Sequence, residues 1–277
     1  MRGGEDAPIG VFDSGVGGLT VLRALRLAMP AETFIYLGDT ARLPYGTKSA
    51  ETVVRYSLQC AAVLLERGVR GLVVACNTAS ASSLDALRLH HPELPVIGVI
   101  EPGAKAAVAA SLSQHIAVIA TEGTIAGGAY QRAIHRLNPS ARVISRACSL
   151  FVSMAEEGWT VGPIAEAVAH RYLDPIFQGA DAPDTLVLGC THFPALAAAI
   201  RTALPRHVNV VDSAATTAAA VRLMLRGPSV TPGARAASAA PGTVAWLATD
   251  GAERFARVGS GFLGETLSAR SVEIIDL

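Results

Sequence analysis

The sequence LVVACNT at residues 72–78 is matched by LVLGCTH at residues 186–192. Each begins with a short apolar run, which is typical of a buried parallel strand, and ends in a cysteine and a polar turn. DSG at residues 13–15 has a looser counterpart in TEG at residues 121–123, again directly after an apolar run. This weak internal repeat predicts two similar α/β units, each with a cysteine at the carboxyl end of a strand.

Short apolar runs alternate with segments of helical period along the rest of the chain, as in α/β proteins with parallel sheets. The strands are predicted at residues 9–12, 34–37, 72–75, 95–100, 116–120, 143–144, 186–189, 208–211 and 244–247. The helices are predicted at residues 19–28, 49–68, 125–137, 213–225 and 251–263, the second of them capped by Ser49. A stretch rich in Pro, Gly, Ala and Ser at residues 227–241 predicts a loop.

This order of elements predicts an α/β fold of two pseudosymmetric domains, each a mostly parallel sheet flanked by helices. We place residues 1–99 and 210–277 in the first domain and residues 100–209 in the second. Ligands of open α/β sheets bind at the carboxyl ends of the strands. Two such edges that face each other would present both cysteines to one active-site cleft.

The composition indicates a globular protein without a nucleic-acid or membrane partner. Of 277 residues, 51% are hydrophobic and 17% are charged, which is enough apolar material for two cores. Lys plus Arg and Asp plus Glu both count 23, so the basic excess that phosphate binding requires is missing. The sequence contains no run of about 18 apolar residues that would predict a transmembrane helix. The N-terminus lacks the apolar core of a signal peptide.

The four cysteines show no paired spacing that would indicate a disulfide framework, so we expect free thiols in a reducing, cytoplasmic compartment. An ordinary thiol is only about 3% ionised at pH 7. A helix that follows Cys76 or Cys190 would favour the thiolate at its N-terminus. The common alternative is a small buried hydrophobic residue, which is our interpretation of Cys60 and Cys148. The matched positions of Cys76 and Cys190 favour a chemical role for this pair.

Three other residue types bear on chemistry at the strand ends. His192, two residues after Cys190, could tune that thiol or exchange protons, or it could cap a helix or lie on the surface. Asp13 could approach Cys76 in space, although Asp-Ser-Gly is also ordinary turn sequence. Glu156 and Glu157 are expected on a solvated helix face.

Two ligand classes are disfavoured by the motifs. GVGG at residues 15–18 follows a strand, but position 20 is Thr and the dinucleotide fingerprint is incomplete. The phosphate-loop motif of nucleotide-binding proteins does not occur either. Cys190 and His192 form a lone C-x-H pair that lacks the further ligands of a zinc site. We therefore expect neither a nucleotide nor a metal.

Four sequence blocks in order resemble the aspartate/glutamate racemase family, and specifically glutamate racemases. They are DSGVGGL at residues 13–19, GDT at 38–40 with PYG at 44–46, ACNTA at 75–79 and GCTHFP at 189–194. FARVGS at residues 255–260 extends the resemblance to nearly the whole chain. The family pattern A-C-P-x-x-V-P-x-V-E is altered here, because Ser149 and Ser153 replace both prolines.

The resemblance implies a cofactor-independent interconversion of L- and D-glutamate that supplies D-glutamate for peptidoglycan synthesis. Cys76 and Cys190 would be the two acid/base residues, supported by Asp13 and His192 respectively, without pyridoxal phosphate or metal. Glu156 aligns with an acidic residue credited with assisting the second cysteine. The glutamate contacts would fall on Asp13, Ser14, Tyr45, Gly46, Asn77, Thr78, Thr191 and His192.

Several alternatives stay open at the level of sequence. Aspartate racemase and hydantoin racemase are sibling activities on the same fold, and a decarboxylase of this fold would use a single cysteine. A non-catalytic clamp that only binds an amino acid would need no thiol at either strand end. The oligomeric state is also open, and a homodimer is compatible with the sequence.

Overall fold

The computed structural model describes residues 7–226 and 241–277. The strands are β1 Ile9–Asp13, β2 Phe34–Gly38, β3 Gly71–Val74, β4 Val96–Gly98, β5 His115–Ala120, β6 Arg142–Ala147, β7 Thr185–Gly189, β8 Asn209–Asp212, β9 Val244–Ala248 and β10 Val272–Ile274. The α-helices are α1 Leu19–Ala28, α2 Ala50–Glu66, α3 Asn77–His90, α4 Ile100–Ala110, α5 Glu122–Ala126, α6 Ala129–Leu137, α7 Leu150–Glu156, α8 Pro163–Phe177, α9 Ala197–Thr202, α10 Ser213–Arg226 and α11 Ala252–Leu263.

The strands form two parallel sheets with related topology. The first sheet has the order β10-β9-β2-β1-β3-β4, and the second has the order β6-β5-β7-β8. Within the first sheet, β2-β1-β3-β4 follows the same sequence of positions as the whole second sheet. The strand before Cys76, β3, therefore corresponds to β7, the strand before Cys190. The predicted α/β fold with two similar, mostly parallel units is confirmed.

The strands are buried on both faces because helices cover each sheet, which explains their continuous apolar sequences. All five residues of β1 and all five of β7 are buried. The N-cap of α2 is also as predicted, since the Ser49 hydroxyl accepts a hydrogen bond from the Thr52 main-chain N–H at 3.2 Å. Local sequence thus determines where the chain enters and leaves the buried layers.

The predicted helix at residues 125–137 is wrong in its bounds. The structure has two helices there, α5 and α6, separated by Gly127 and Gly128. Gly128 adopts a left-handed conformation with φ of +60°, which interrupts the helical hydrogen bonds. Strand β6 is longer than predicted, and β10 was not predicted at all. Its three residues, VEI, carry too short an apolar pattern to detect.

Two helices connect the units, because α4 follows the first sheet and α10 leaves the second. Helix α10 packs against both α1 and α4. The division into residues 1–99 plus 210–277 and residues 100–209 stays a prediction. The predicted loop at residues 227–241 lies outside the described residues except for Pro241. Among the residues described, no helix has the length and apolarity needed to cross a lipid bilayer.

Candidate active site

The carboxyl ends of β1, β3 and β7 meet around one cavity that both cysteines line. The cavity has a volume of about 30 Å³. Cys76 and Cys190 are each only 5% exposed. The other polar lining residues are Ser14, Tyr45, Asn77, Thr78, Thr121, Glu156, Thr191 and His192. The two thiols, far apart in sequence, thus face a common, nearly closed space.

Cys76 is the N-cap residue of α3, as the sequence predicted. Its sulfur accepts a long hydrogen bond from the Ala79 main-chain N–H at 3.5 Å, and the thiol donates toward Ser14 Oγ at 3.6 Å. The expected net gain in acidity is wrong for this thiol. Burial, reinforced by the negative charge of Asp13, raises the pKa of Cys76 to about 12. The helix N-terminus offsets only part of that desolvation cost.

Asp13 lies at the end of β1, fully buried behind the cavity. Its Oδ2 accepts a hydrogen bond from the Gly15 main-chain N–H at 2.9 Å. Its Oδ1 is buried and has no hydrogen-bond partner among the described residues. Burial raises the pKa of Asp13, and the positive charge of His192 opposes that rise. Main-chain hydrogen bonds from Gly15 and Gly18 act to lower the pKa and hold the carboxyl group near Cys76.

Cys190 lies beside a buried histidine. The sulfur is 3.8 Å from His192 Nδ1, and His192 Nε2 is 3.1 Å from Glu156 Oε1. Burial by itself would lower the pKa of His192, but the contacts with Cys190 and Glu156 outweigh it and raise the pKa to about 10. Arg254 donates to the other oxygen of Glu156 at 2.9 Å. The structure thus places a cation beside Cys190.

Glu156 is not on a solvated face, so that interpretation of the sequence is wrong. Its side chain is 11% exposed and forms ion pairs with both His192 and Arg254. Burial acts to raise the pKa of Glu156, but hydrogen bonds from these two partners lower it overall. The surface alternative for His192 is likewise wrong, since the ring is buried inside the site. His192 is the N-cap residue of the 3-10 helix Phe193–Leu196, but its side chain makes no capping hydrogen bond.

Opposite charges beside the two thiols give the site an electrostatic asymmetry. A protonated His192 places a positive charge beside the Cys190 sulfur. A carboxylate at Asp13 disfavours the thiolate form of Cys76. The two thiols therefore lie beside groups of opposite charge. Two such thiols could remove a proton from one face of a carbon and deliver another proton to the opposite face.

The glycine-rich turn after β1 serves close packing between the two units. A Cβ at Gly17 would lie 2.4 Å from Thr191 Oγ1 and 2.5 Å from the His192 ring. Gly46 is similarly confined, because its Cβ would lie 2.8 Å from Thr121 Cβ. Real Cβ atoms do not approach so closely, so a side chain at either position would force these neighbours to move. Close packing thus accounts for Gly17, which lies in the stretch that could have suggested a nucleotide loop.

Most of the residues predicted to contact the substrate line the cavity. Tyr45 also lines it, but its hydroxyl is hydrogen-bonded elsewhere. The Tyr45 hydroxyl donates a hydrogen bond to the buried Asp39 and lies 3.9 Å from the Cys60 sulfur. Any contact of Tyr45 with a ligand would therefore come from its main chain. Asp13 is behind the cavity rather than on its wall. Ser14, Gly46, Asn77, Thr78, Thr191 and His192 all line it.

The other two cysteines and a larger cavity do not belong to this site. Cys60 and Cys148 are fully buried, consistent with core roles, and neither lines this cavity. A larger cavity of about 380 Å³ lies between α4 and α6, but no cysteine lines it. In residues 7–226 and 241–277, no cluster of three or more His, Cys, Asp or Glu is arranged to hold a metal ion.

Residues 9–221 match the family model described as Asp/Glu/Hydantoin racemase. This match covers well over half of the chain, including both strand-end cysteines. The chain belongs to this racemase family. The resemblance predicted from the sequence is thereby confirmed. Because the family description spans three substrate classes, membership alone does not select among them.

A curated relative and two solved structures that resemble this chain are all named glutamate racemases. A glutamate racemase of Geobacter metallireducens is 49% identical over 259 residues, covering 94% of this chain and 93% of the relative. A crystal structure of the Francisella tularensis glutamate racemase with D-glutamate has a TM-score of 0.86 at 36% identity, covering 98% of each chain. The Thermus thermophilus glutamate racemase has a TM-score of 0.84 at 41% identity, covering 99% of this chain and 98% of that one.

Proposed function

We propose that the chain is a glutamate racemase that interconverts L- and D-glutamate by proton transfer between Cys76 and Cys190. The single observation that carries this proposal is that both buried thiols line one cavity, with an anion beside one and a cation beside the other. The proposal also agrees with the substrate named for the relatives that cover nearly the whole chain. The sibling activities, aspartate and hydantoin racemisation, find no such support among those relatives.

The reaction follows from one base on each side of the α-carbon. One cysteine, as thiolate, removes the α-proton and becomes a thiol. The electron pair of the broken C–H bond stays on the α-carbon, which becomes a carbanion. The opposite cysteine, as thiol, delivers its proton to the other face and becomes a thiolate. The reverse reaction exchanges these roles. Since two thiols supply both proton transfers, the proposed mechanism requires neither pyridoxal phosphate nor a metal.

Asp13 and His192 would support the two half-reactions. Asp13 Oδ1, which is buried and without a partner among the described residues, can accept the proton that Cys76 must lose to become a base. His192 as imidazolium stabilises the Cys190 thiolate across the 3.8 Å contact. Substrate carboxylates would be bound by main-chain N–H groups and by the hydroxyl and amide groups of the lining residues. Those are Ser14, Asn77, Thr78 and Thr191, with the main chain of Tyr45 and Gly46.

We further propose that the enzyme works in the cytoplasm and supplies D-glutamate for peptidoglycan. All four cysteines are free, which agrees with a reducing compartment. The cellular role rests on the racemase assignment, because racemisation of the abundant L-enantiomer is a direct source of D-glutamate.

A circular-dichroism assay of the purified protein tests this function. We expect L-glutamate to lose its optical activity without any added cofactor, with L-aspartate and a hydantoin substrate turned over far more slowly. Preferred turnover of aspartate or the hydantoin would reassign the substrate. Binding of glutamate without turnover, unchanged after the cysteines are blocked with a small alkylating reagent, would indicate a non-catalytic clamp instead.

A further inference from the structure

Tyr130 on α6 lies beneath both cysteine loops and is only 1% exposed. A Cβ at Gly189, the residue before Cys190, would lie 3.0 Å from the Tyr130 ring. A Cβ at Gly103 would lie 3.2 Å from its hydroxyl oxygen. The phenol is thus enclosed by main chain from α4 and β7. Its position is fixed by packing before any hydrogen bond is considered.

The Tyr130 hydroxyl donates a hydrogen bond to Asn77 Oδ1 at 2.8 Å. Asn77 is the first residue of α3 and directly follows Cys76. Burial raises the pKa of Tyr130 above its ordinary value, so the phenol keeps its proton and remains a donor. Ser213 is a second hydrogen-bond partner of the phenol. A donor that faces the Asn77 side chain fixes which end of the amide is the oxygen.

The hydrogen bond leaves the nitrogen end of the Asn77 amide for another partner. Asn77 is 3% exposed and lines the cavity, yet its Nδ2 has no hydrogen-bond partner among the described residues. A buried amide donor without an acceptor costs about 1–3 kcal/mol. Such a cost is compensated when a ligand supplies the acceptor. An anionic oxygen is the acceptor that a neutral N–H group binds most strongly.

We propose that Tyr130 is a positioning residue that holds the Asn77 amide with its N–H groups toward a carboxylate of the bound amino acid. This inference rests on the proposed function, since glutamate supplies the carboxylate. Without the phenol, the amide can rotate and present its oxygen to that carboxylate, which would repel it. Phenylalanine would fill the same space but could not fix the amide. The hydroxyl, not the ring, therefore carries the role.

The test compares Tyr130→Phe, Asn77→Ala and the double variant in steady-state racemisation of both enantiomers. We expect Tyr130→Phe to raise KM for glutamate about tenfold, as when a hydrogen bond to a charged group is weakened, with a smaller change in kcat. In the Asn77→Ala background the same substitution should change KM by less than about twofold, because residues that act through one another are not additive. Tyr172→Phe is the control, since its hydroxyl accepts a hydrogen bond from the Leu150 main-chain N–H at 3.4 Å and Tyr172 does not line the cavity.

Several results would overturn the proposal. An unchanged KM in Tyr130→Phe, or an equal effect of that substitution with and without Asn77, would show that the phenol does not act through the amide. A second measurement avoids dependence on a variant's folding: the side-chain ¹⁵N–H resonances of Asn77 should shift on saturation with D-glutamate. Absence of that shift would also reject the contact. These results are distinct from failure of the proposed function. If the unaltered protein racemises glutamate, the proposed function stands whatever the variants show. Absence of glutamate turnover by the unaltered protein would reject the proposed function.

Discussion

At the residue scale, the two thiols differ mainly in the charge that lies beside them. Cys76 is near the carboxyl group of Asp13, and Cys190 is 3.8 Å from the His192 imidazole. Both sulfurs are almost fully buried, so these local charges act through a medium of low polarity and are strongly felt. The two similar cysteines thus have surroundings of opposite charge.

Removal of either strand-end thiol should abolish racemisation. Cys76→Ala and Cys190→Ala each delete one of the two proposed bases, so we expect turnover to fall by about a thousandfold or more, since a general acid–base residue typically contributes about a hundredfold to ten-thousandfold. Thermal unfolding should change little, since each cysteine is at the cavity wall. Cys60→Ala is the matched control, with a stability loss of about 1 kcal/mol and normal turnover. Near-normal racemisation in either strand-end variant would exclude the two-cysteine mechanism.

His192 should remain protonated well above neutral pH. Its pKa of about 10 in the folded protein lies above the value of about 6.5 in the unfolded chain. The charged form therefore stabilises the fold fully below about pH 6.5, and this contribution is lost as pH rises through about 10. NMR titration of ¹⁵N-labelled histidine, assigned with His192→Gln, measures it directly. Glu156→Gln should lower the value and Glu157→Gln should not. Deprotonation of His192 near pH 6.5 would contradict this electrostatic account.

Sequence patterns pointed to the candidate site residues better than to the groups that surround them. The cysteines repeat after equivalent strands, and His192 follows Cys190 closely, so spacing alone points to them. Glu156 was expected on a solvated face because local sequence does not show that α7 packs beside His192. Arg254 and Tyr130 carried no signal for the same reason, since each acts only through tertiary contact. The low acidity of Cys76 was also hidden, because burial depends on the whole fold.

At the scale of elements, the turn between β1 and α1 is packed against the loop that follows β7. Gly17 has no room for a side chain there, since a Cβ would meet both Thr191 and His192. The loop after Cys190 continues into a short 3-10 helix at Phe193–Leu196 and then α9. It therefore lacks the long helix that follows Cys76. His192 is thus confined by the turn at Gly17 as well as by its hydrogen bond with Glu156.

Gly17→Ala should disturb the site through this contact. The added methyl group must displace Thr191 and the His192 ring, which we expect to cost about 1–3 kcal/mol of stability and to reduce kcat. The control is Gly261→Ala within α11, where a Cβ would meet nothing within 4 Å. That substitution should stabilise the helix by roughly 0.5–1 kcal/mol. Melting temperature and kcat measured together check both variants, and unaltered kcat in Gly17→Ala would show that the loop contact does not position His192.

The sequence predicted the alternation of strands and helices. It did not predict where a helix is interrupted or where a short strand lies at the edge of a sheet. Apolar runs flanked by glycine or acidic residues predict the central strands because parallel strands are buried on both faces. The division of residues 125–137 into α5 and α6 depends on the left-handed backbone of Gly128, which a glycine permits but does not require. Strand β10 pairs with β9 at the edge of the sheet, where a short segment needs little hydrophobic pattern.

At the scale of the whole molecule, the candidate site lies where the two units meet, since residues of both units line its cavity. An ion pair joins them across the site, from Arg254 on α11 to Glu156 on α7 at 2.9 Å. The arginine side chain is 46% exposed and the glutamate 11%. The pair therefore combines a role in His192 electrostatics with a role in holding the units together.

Arg254→Gln should weaken both roles. We expect kcat to fall severalfold and the pKa of His192 to rise slightly, because Glu156 then interacts with the imidazolium alone. Arg257→Gln, three residues along the same helix and exposed, is the matched control and should leave both unchanged. Kinetics in both directions and the histidine NMR titration measure these effects. Since the enantiomers have equal free energy in water, kcat/KM must stay equal in the two directions for every variant. Unchanged kcat and pKa in Arg254→Gln would remove this ion pair from the account.

The most direct test of the central claim is the fate of the α-hydrogen when L-glutamate is turned over in heavy water and sampled early. With Cys76 and Cys190 on opposite faces, the proton removed by one stays on that side, and the other delivers a hydrogen already exchanged with solvent. Proton NMR should show D-glutamate deuterated at the α-carbon, while unreacted L-glutamate keeps its protium. Substantial protium in early D-glutamate, or early deuterium in recovered L-glutamate, would contradict a two-base mechanism and indicate one base that serves both faces.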